Sequence, residues 1–399
     1  MLPMVTRAHS SKTLLGLDWK LSQLRVEIFG IKGLRRFCRG IFGNRHFFTA
    51  SVDRRASSFQ ELHGVMLVGV FCGQTNPQLV EDLLRPLVLE VNDLQQRGLM
   101  FGDEKVQVRL HALIADSPAR AFAKATAYFN AKHGCLKCTC VGEHLESENK
   151  IIFDSVHAEL RTDAGFRAKV DIDHHKEFRT PLEDVPNFHM IRGVPVGERL
   201  HLIEYGGTRK IIVGLLERKF DTFARWSPQQ KENVSKFLVH TRLPSEVNRP
   251  MRSLKTVRFW KATEYRSFLH YLSPVVMKDF MLSDALNHFL LYYCGVTMFS
   301  TSEHQRFWPL AKKFLDTFVK DFGKYYGRTH LTSNIHNLQH VYEDVMEFGQ
   351  LDNFSAYPFE NYLQIIKRYV KSGTRVAVQV TARMLEFEVI ESKLLTVLF

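Results

Sequence analysis

The order of apolar and polar positions makes the first half of the chain legible as alternating strands and helices. The stretch from His46 to Val52 (HFFTASV) reads as a short strand with Asp53 at its end. From Gly64 to Cys72 (GVMLVGVFC) the chain is almost continuously apolar, β-branched and flanked by glycine, the pattern of a buried strand. After a turn, apolar residues recur at Leu79, Val80, Leu83, Leu84, Leu87, Val88, Val91 and Leu94. This is the stripe of an amphipathic helix, and Gly98 closes it. Val106 to Ala115 (VQVRLHALIA) alternates and then turns wholly apolar, a further strand ending at Asp116. Ser117 and Pro118 follow, then good helix formers over residues 119–129. Asp116 is thus expected where a strand ends and a helix begins, the place where chemistry gathers in open α/β sheets.

Elsewhere the pattern is less even. Residues 1–60 are mixed and weakly patterned, and residues 130–200 are loop-rich and full of Cys, His, Asp and Glu. Residues 208–330 read as mostly helical, with segments at 262–271, 274–281, 283–297 and 302–327. Two more helices are expected over 334–348 and 358–372, and 375–381 alternates like a strand but is also compatible with a helix. The organisation expected is a basic N-terminal segment (1–60), a first core part (61–133), a zinc-loop region with a helical insertion (134–333) and a final core part (334–399).

Composition narrows the function classes. With 399 residues, 45% hydrophobic and 12% aromatic, the chain can bury a real core. A formal net charge of +12 favours an anionic partner, nucleic acid above all, over a merely solvated surface. Residues 1–50 concentrate this charge, with nine Lys/Arg against Asp18 and Glu27. Six cysteines do not make a disulfide framework in a chain this long. Three of them crowd at Cys135, Cys138 and Cys140, which points to a metal site in a reducing compartment. Neither a signal-peptide core nor a run of ~20 apolar residues is present, so a soluble, intracellular protein is expected.

Three motifs carry chemistry. Cys135-Leu-Lys-Cys138 presents two thiolates at the spacing of zinc ribbons and fingers, but supplies only two of four ligands. His336-Asn-Leu-Gln-His340 places two imidazoles on one face of a helix. Together they make a Cys₂His₂ site, with Cys140, His157, His174 and His175 as competing ligands. In Tyr357-Pro-Phe-Glu360-Asn361 a helix start carries a carboxylate, which suits either the helix dipole or a metal ion. Lys367, Arg368, Lys371 and Arg375 follow and suit a phosphate backbone or a solvated face.

These stretches resemble a known pattern. IADSPARAFAKATAYFNAKHGCLKC (114–138) resembles the second catalytic segment of CACTA (En/Spm-type) DNA transposases of the animal branch. NIHNLQHVYEDVMEFGQLDNFSAYPFEN (334–361) resembles their third. The V(D)J recombinase catalytic core is a more distant likeness with the same order of Asp, CxxC, helical insertion, His pair and Glu. Shorter likenesses lie between, among them HHKEFRTPLEDVP (174–186) and LHLIEYGG (200–207), so the resemblance spans roughly residues 64–385. It implies an α/β fold: an RNase H-like core with a large, mostly α-helical insertion between the second and third catalytic carboxylates. It assigns Asp116 as the second carboxylate and Glu360 as the third, 244 residues apart, with Glu204 and Asp184 as lesser acidic candidates. It assigns Cys135, Cys138, His336 and His340 to a structural Zn²⁺. The first carboxylate falls on Asp53 in FTASVDRRASS, where Arg54 stands in place of the family's glycine.

The implied chemistry is cleavage and strand transfer at DNA phosphodiesters by two Mg²⁺ or Mn²⁺ ions about 3.5–4 Å apart. The implied partners are double-stranded DNA, as transposon ends and target, and further copies of the chain in a nucleus, with no membrane. The damaged first segment supports an alternative, a catalytically inactive remnant that at most binds DNA.

Overall fold

The computed structural model describes residues 23–32, 45–53, 65–72, 77–101, 104–217, 220, 226–372 and 375–398. Much of the basic N-terminal segment lies outside these residues. The chain divides into two compact units, each built from separated stretches of sequence. Unit 1 combines residues 1–126, 163–194 and 356–399; unit 2 combines 127–162 and 195–355. The sequence boundaries expected at 133/134 and 333/334 therefore differ from the spatial ones, and the His pair folds with the helical unit rather than with the final core part.

Unit 1 is organised by a five-stranded sheet in the order β3-β2-β1-β5-β4. Its strands are β1 (Gln23–Lys32), β2 (Arg45–Asp53), β3 (Val65–Cys72), β4 (Leu99–Phe101) and β5 (Glu104–Ala115). β1, β2 and β3 pair antiparallel in sequence, β4 pairs antiparallel with β5, and β1 pairs parallel with β5. A parallel neighbour needs a crossover, and the helix α1 (Val80–Arg97) lies between β3 and β5 in sequence. Six apolar residues of the expected stripe, Val80 to Val91, are buried on α1, and Gly98 caps it with a positive φ of 70°. They pack with Leu110 and Leu113 of β5 and with Phe166, Leu182, Phe188 and Met190 of the 163–194 stretch. Each such side chain contributes about 1.5–3 kcal/mol by leaving water.

The helix after Asp116, α2 (Ser117–Ala123), is shorter than its alanine-rich sequence suggests. Ala125 takes a left-handed φ of 52° and Thr126 bridges to His175, so pairing overrides helix propensity here. α3 (Asp163–Arg167) belongs to the same unit.

Unit 2 contains the small hairpin β6 (Glu143–Leu145) and β7 (Lys150–Ile152), and its longer regular elements among the described residues are helical. Its helices are α4 (Arg209–Leu216), α5 (Pro228–His240), α6 (Ala262–Ser267) and α7 (Ser273–Phe280), followed by α8 (Ser283–Phe299) and α9 (Trp308–Tyr326). The helix expected over 334–348 is divided into α10 (Ser333–His336), a 3₁₀ turn Asn337–His340 and α11 (Val341–Phe348). A ten-residue π-helical stretch, Arg199–Thr208, runs into α4. Its N-terminal donors are met by Glu198, whose carboxylate accepts from the Leu200 and His201 amides at 2.8 Å each.

The last stretch of unit 1 is α12 (Tyr357–Tyr369) and α13 (Val376–Leu398). They meet through Leu363, Ile366, Val376 and Val380, so the ambiguous 375–381 segment is helical. Among the described residues, no helix is long and apolar enough to cross a membrane.

Candidate metal centre

The four metal ligands expected from the sequence come together inside unit 2. Cys135, Cys138, His336 and His340 are 4%, 0%, 1% and 2% exposed, and one ligand atom from each lies within 4.8 Å of every other. Cys135 Sγ is 3.5 Å from His340 Nε2, Cys138 Sγ is 3.3 Å from His336 Nε2, and the two sulfurs are 3.5 Å apart. Zn–S bonds of about 2.3 Å and Zn–N bonds of about 2.0–2.1 Å at tetrahedral angles set neighbouring ligands roughly 3.4–3.8 Å apart. The donor set therefore fits a metal such as zinc, with all four positions filled by protein. A closed set of this kind is structural, since a catalytic zinc keeps a position open.

Local geometry explains how each ligand is placed. The Cys138 amide donates to Cys135 Sγ at 3.4 Å, which folds the CxxC segment around its first sulfur. Arg161 holds the same turn, its backbone N–H donating to the Lys137 carbonyl and its side chain to the Cys135 carbonyl. His336 ends α10 and His340 ends the 3₁₀ turn, so the i, i+4 pair is kept across a change of helix type. Phe153 packs against the His336 ring with centroids 5.2 Å apart, and the Gln339 amide lies 3.0 Å from His336 Nδ1. Such outer contacts orient a ligating imidazole.

The thiols are electrostatically prepared. For Cys135, burial favours the neutral form, but the hydrogen bond from Cys138 and the nearby His340 and His336 outweigh it and hold the thiol well below its usual range. Cys138 moves the opposite way, because it donates that hydrogen bond and is buried beside a thiolate. The pair shares one proton, which a divalent cation would displace.

Two residues that the sequence did not single out complete the centre. Lys137, inside the CxxC, is buried and pairs with Asp344 of α11 at 2.6 Å. The other Asp344 oxygen accepts from the Val196 and Gly197 amides at 2.7 Å each. A Cβ on Gly197 would sit 3.2 Å from that oxygen and from the Val341 backbone, so glycine permits the approach. A lysine between two cysteines gives no sign in the sequence that it is buried, which is why this pair was missed.

The competing ligands take other roles. Cys140 packs in the same cysteine cluster but is not among the four converging ligands, and burial raises its thiol. His157 is exposed. His174 and His175 belong to unit 1, where both pack edge-on or tilted against Phe166.

The three carboxylates expected to hold catalytic metals all belong to unit 1. Asp116 follows β5 and caps α2, its Oδ1 accepting from the Ala119 amide at 2.8 Å. Glu360 lies half-buried in the first turn of α12. The register corrects the expectation for Asp53. On β1, Arg25 is level with both Asp53 and Arg109, whereas Gly30 is level with Ala115, next to Asp116. Asp53 and Asp116 are therefore separated by six residues along the strands, roughly 20 Å at 3.3 Å per residue. Two short side chains cannot share a pair of ions across that distance, so Asp53 does not complete a triad with Asp116. The other carboxylate on the first three strands, Glu27, is level with Ala112. The β1 positions flanking the end of β5 are Phe29, Gly30 and Ile31. Of the lesser acidic candidates, Glu204 is buried against Arg199 at 3.2 Å and Asp184 pairs with Arg85 at 2.8 Å. Compared with models of known protein families and with curated proteins, the chain matches none.

Proposed function

We propose that this chain is a transposase-derived DNA-binding protein, similar to CACTA elements, whose phosphodiester-cleaving site is incomplete. The observation that carries the reading is the way the chain is threaded. Asp116 and Glu360 fall in one sheet-bearing unit assembled from stretches on both sides of the insertion. The insertion forms a separate helical unit that carries the buried Cys₂His₂ cluster. A crossover through α1 that sets β5 parallel beside β1, with an acid at the end of β5, supports an RNase H-like core for unit 1.

A two-metal site would use carboxylates for Mg²⁺ or Mn²⁺, with the ions activating the attacking oxygen and stabilising the leaving one. The strand register favours the inactive form of this ancestry over cleavage and strand transfer, because the β1 residues beside Asp116 are apolar and Asp53 is at the far end of the sheet. What remains is a basic protein of net charge +12 suited to double-stranded DNA in the nucleus, as a homo-oligomer in keeping with its ancestry.

A nicking assay on supercoiled DNA with Mn²⁺ tests this. Wild type and Asp116→Asn are expected to leave the substrate uncut alike, and the asparagine retains an oxygen to cap α2. Mn²⁺-dependent nicking by wild type that Asp116→Asn abolishes would overturn the inactive reading and restore the enzyme.

A further inference from the structure

Unit 2 carries a groove that the metal centre does not use. Two cavities of about 680 and 550 Å³, both open to solvent, share Lys150 and Asn334 in their linings and so adjoin at these residues. Arg209 and Lys210, at the start of α4, line the larger one together with His330 and Asn334. Thr332, Ser333 and Asn149 extend the lining into the smaller cavity, with His144 at its side. Glu148 is the one carboxylate in either lining, and it pairs with Lys150 at 2.5 Å. Three cations, Lys150, Arg209 and Lys210, against this single carboxylate leave the lining net positive. The Lys210 ammonium is held by Thr332 at 2.8 Å, which fixes one of its three donors across the gap.

The walls of this groove are steadied from beneath. Asn334 lies in α10, two residues before the metal ligand His336. Lys150 begins β7, which leads to Phe153, and the Phe153 amide donates to the Leu331 carbonyl at 2.7 Å. Phe220, also in the larger lining, packs edge-on against Tyr326 and His330. A deep apolar pocket would suit a small ligand, whereas an open channel lined by cations, amides and hydroxyls matches the donors that proteins aim at phosphate oxygens.

We infer that this groove, through Lys150, Arg209 and Lys210, binds the sugar-phosphate backbone of DNA. The inference rests on the DNA-binding reading above and adds to it where on the chain the backbone is held. The contacts carry no base recognition and act on any sequence.

The test compares full-length wild type with Lys150→Gln/Lys210→Gln. Binding of a labelled duplex and a labelled single strand of equal length and arbitrary sequence is measured by fluorescence anisotropy over a range of salt. Loss of two phosphate contacts is expected to weaken binding about tenfold or more at low salt. It is also expected to reduce the slope of log K against log salt by roughly 1.4 for the strand or 1.8 for the duplex. The form that loses more is the one the groove takes. Lysine acetylation of wild type, read by mass spectrometry, supplies a measurement independent of any variant's folding. DNA is expected to protect Lys150 and Lys210 while Lys313 and Lys320, exposed on α9, react as before. If wild type binds DNA but the variant keeps its affinity and slope, or Lys150 and Lys210 acetylate equally with and without DNA, the groove is wrong and the DNA reading stands. If wild type binds neither form even at low salt, both fall together.

Discussion

Asp344 shows how much of the metal centre depends on a side chain that is not a ligand. Its carboxylate takes an ammonium and two amide donors in a region where Lys137 and Asp344 are 4% and 1% exposed. Removing one partner of a buried pair leaves the other charge without compensation, which costs about 3–5 kcal/mol. Asp344→Ala is therefore expected to destabilise the protein by that amount in urea titrations, because Lys137 stays buried and the Val196 and Gly197 amides lose their acceptor. Lys137→Met/Asp344→Asn removes both charges but keeps an oxygen for the two amides, and is expected to recover more than half of the loss. A cost below about 1 kcal/mol for Asp344→Ala would mean that the pair is solvated in solution. Asp116 shows the same distinction between role and residue type. Its position after β5 fits a metal ligand, yet its oxygen already accepts from Ala119, so capping alone accounts for an acid there.

At the scale of elements, the metal centre joins pieces that are too short to stand alone. α10 and the 3₁₀ turn are four residues each, and the CxxC segment is a loop, so none reaches the length at which a helix holds itself. Metal binding would then be folding free energy for this part of unit 2. Purified protein is expected to carry one zinc per chain by metal analysis, and a chelator is expected to lower its melting temperature by more than about 5 °C, given some 2–4 °C per kcal/mol at this size. Cys138→Ser and His340→Ala should lose the metal and melt at a temperature that the chelator no longer moves. Native protein without zinc, whose melting ignores the chelator, would remove the metal from the account. This centre was legible in the sequence because its ligands are few, of marked type and at two short spacings. The amphipathic α1 and the apolar β3 were legible for a similar reason, since their patterns are local. β1 was passed over, although Leu24, Val26 and Ile28 alternate with Arg25 and Glu27, because it stands in a strongly basic stretch. The placement of Asp53 depended on that strand. Register is a property of pairs, and no spacing within β2 could reveal that its end lies level with Arg109 rather than with Asp116.

For the molecule as a whole, two histidines, His270 half-buried and His288 buried, make acid the condition under which unit 2 should fail. His270 accepts from Arg199 Nη2 at 2.9 Å, and burial, then Arg199 and Arg266, push its pKa down to about 3. The carboxylates nearby are already engaged: Arg199 pairs with Glu204 and Asp352, and Arg266 with Asp352. His288 is stacked on Phe318 and Tyr325 and is pushed down to about 4, chiefly by burial, with Lys324 adding to it and the Phe318 carbonyl and Asp321 opposing. Both folded values lie below the ordinary 6.5, so on acidification the unfolded chain takes up these protons first. Their contribution to stability is complete above about pH 6.5. It drains away between 6.5 and about 4 for His288, and down to about 3 for His270. Each proton taken up only on unfolding gives a slope of about 1.4 kcal/mol per pH unit, so the two together give about 2.7 where their windows overlap. His270→Gln keeps an acceptor for Arg199 without a titratable ring, and is expected to remove about half of that slope in urea midpoints measured from pH 7 to 4.5. The quantity to read is the difference between wild type and variant, which share every other titrating group. Parallel pH profiles for the two proteins would show that His270 is open to solvent, and that the Arg199 network does not exclude a proton.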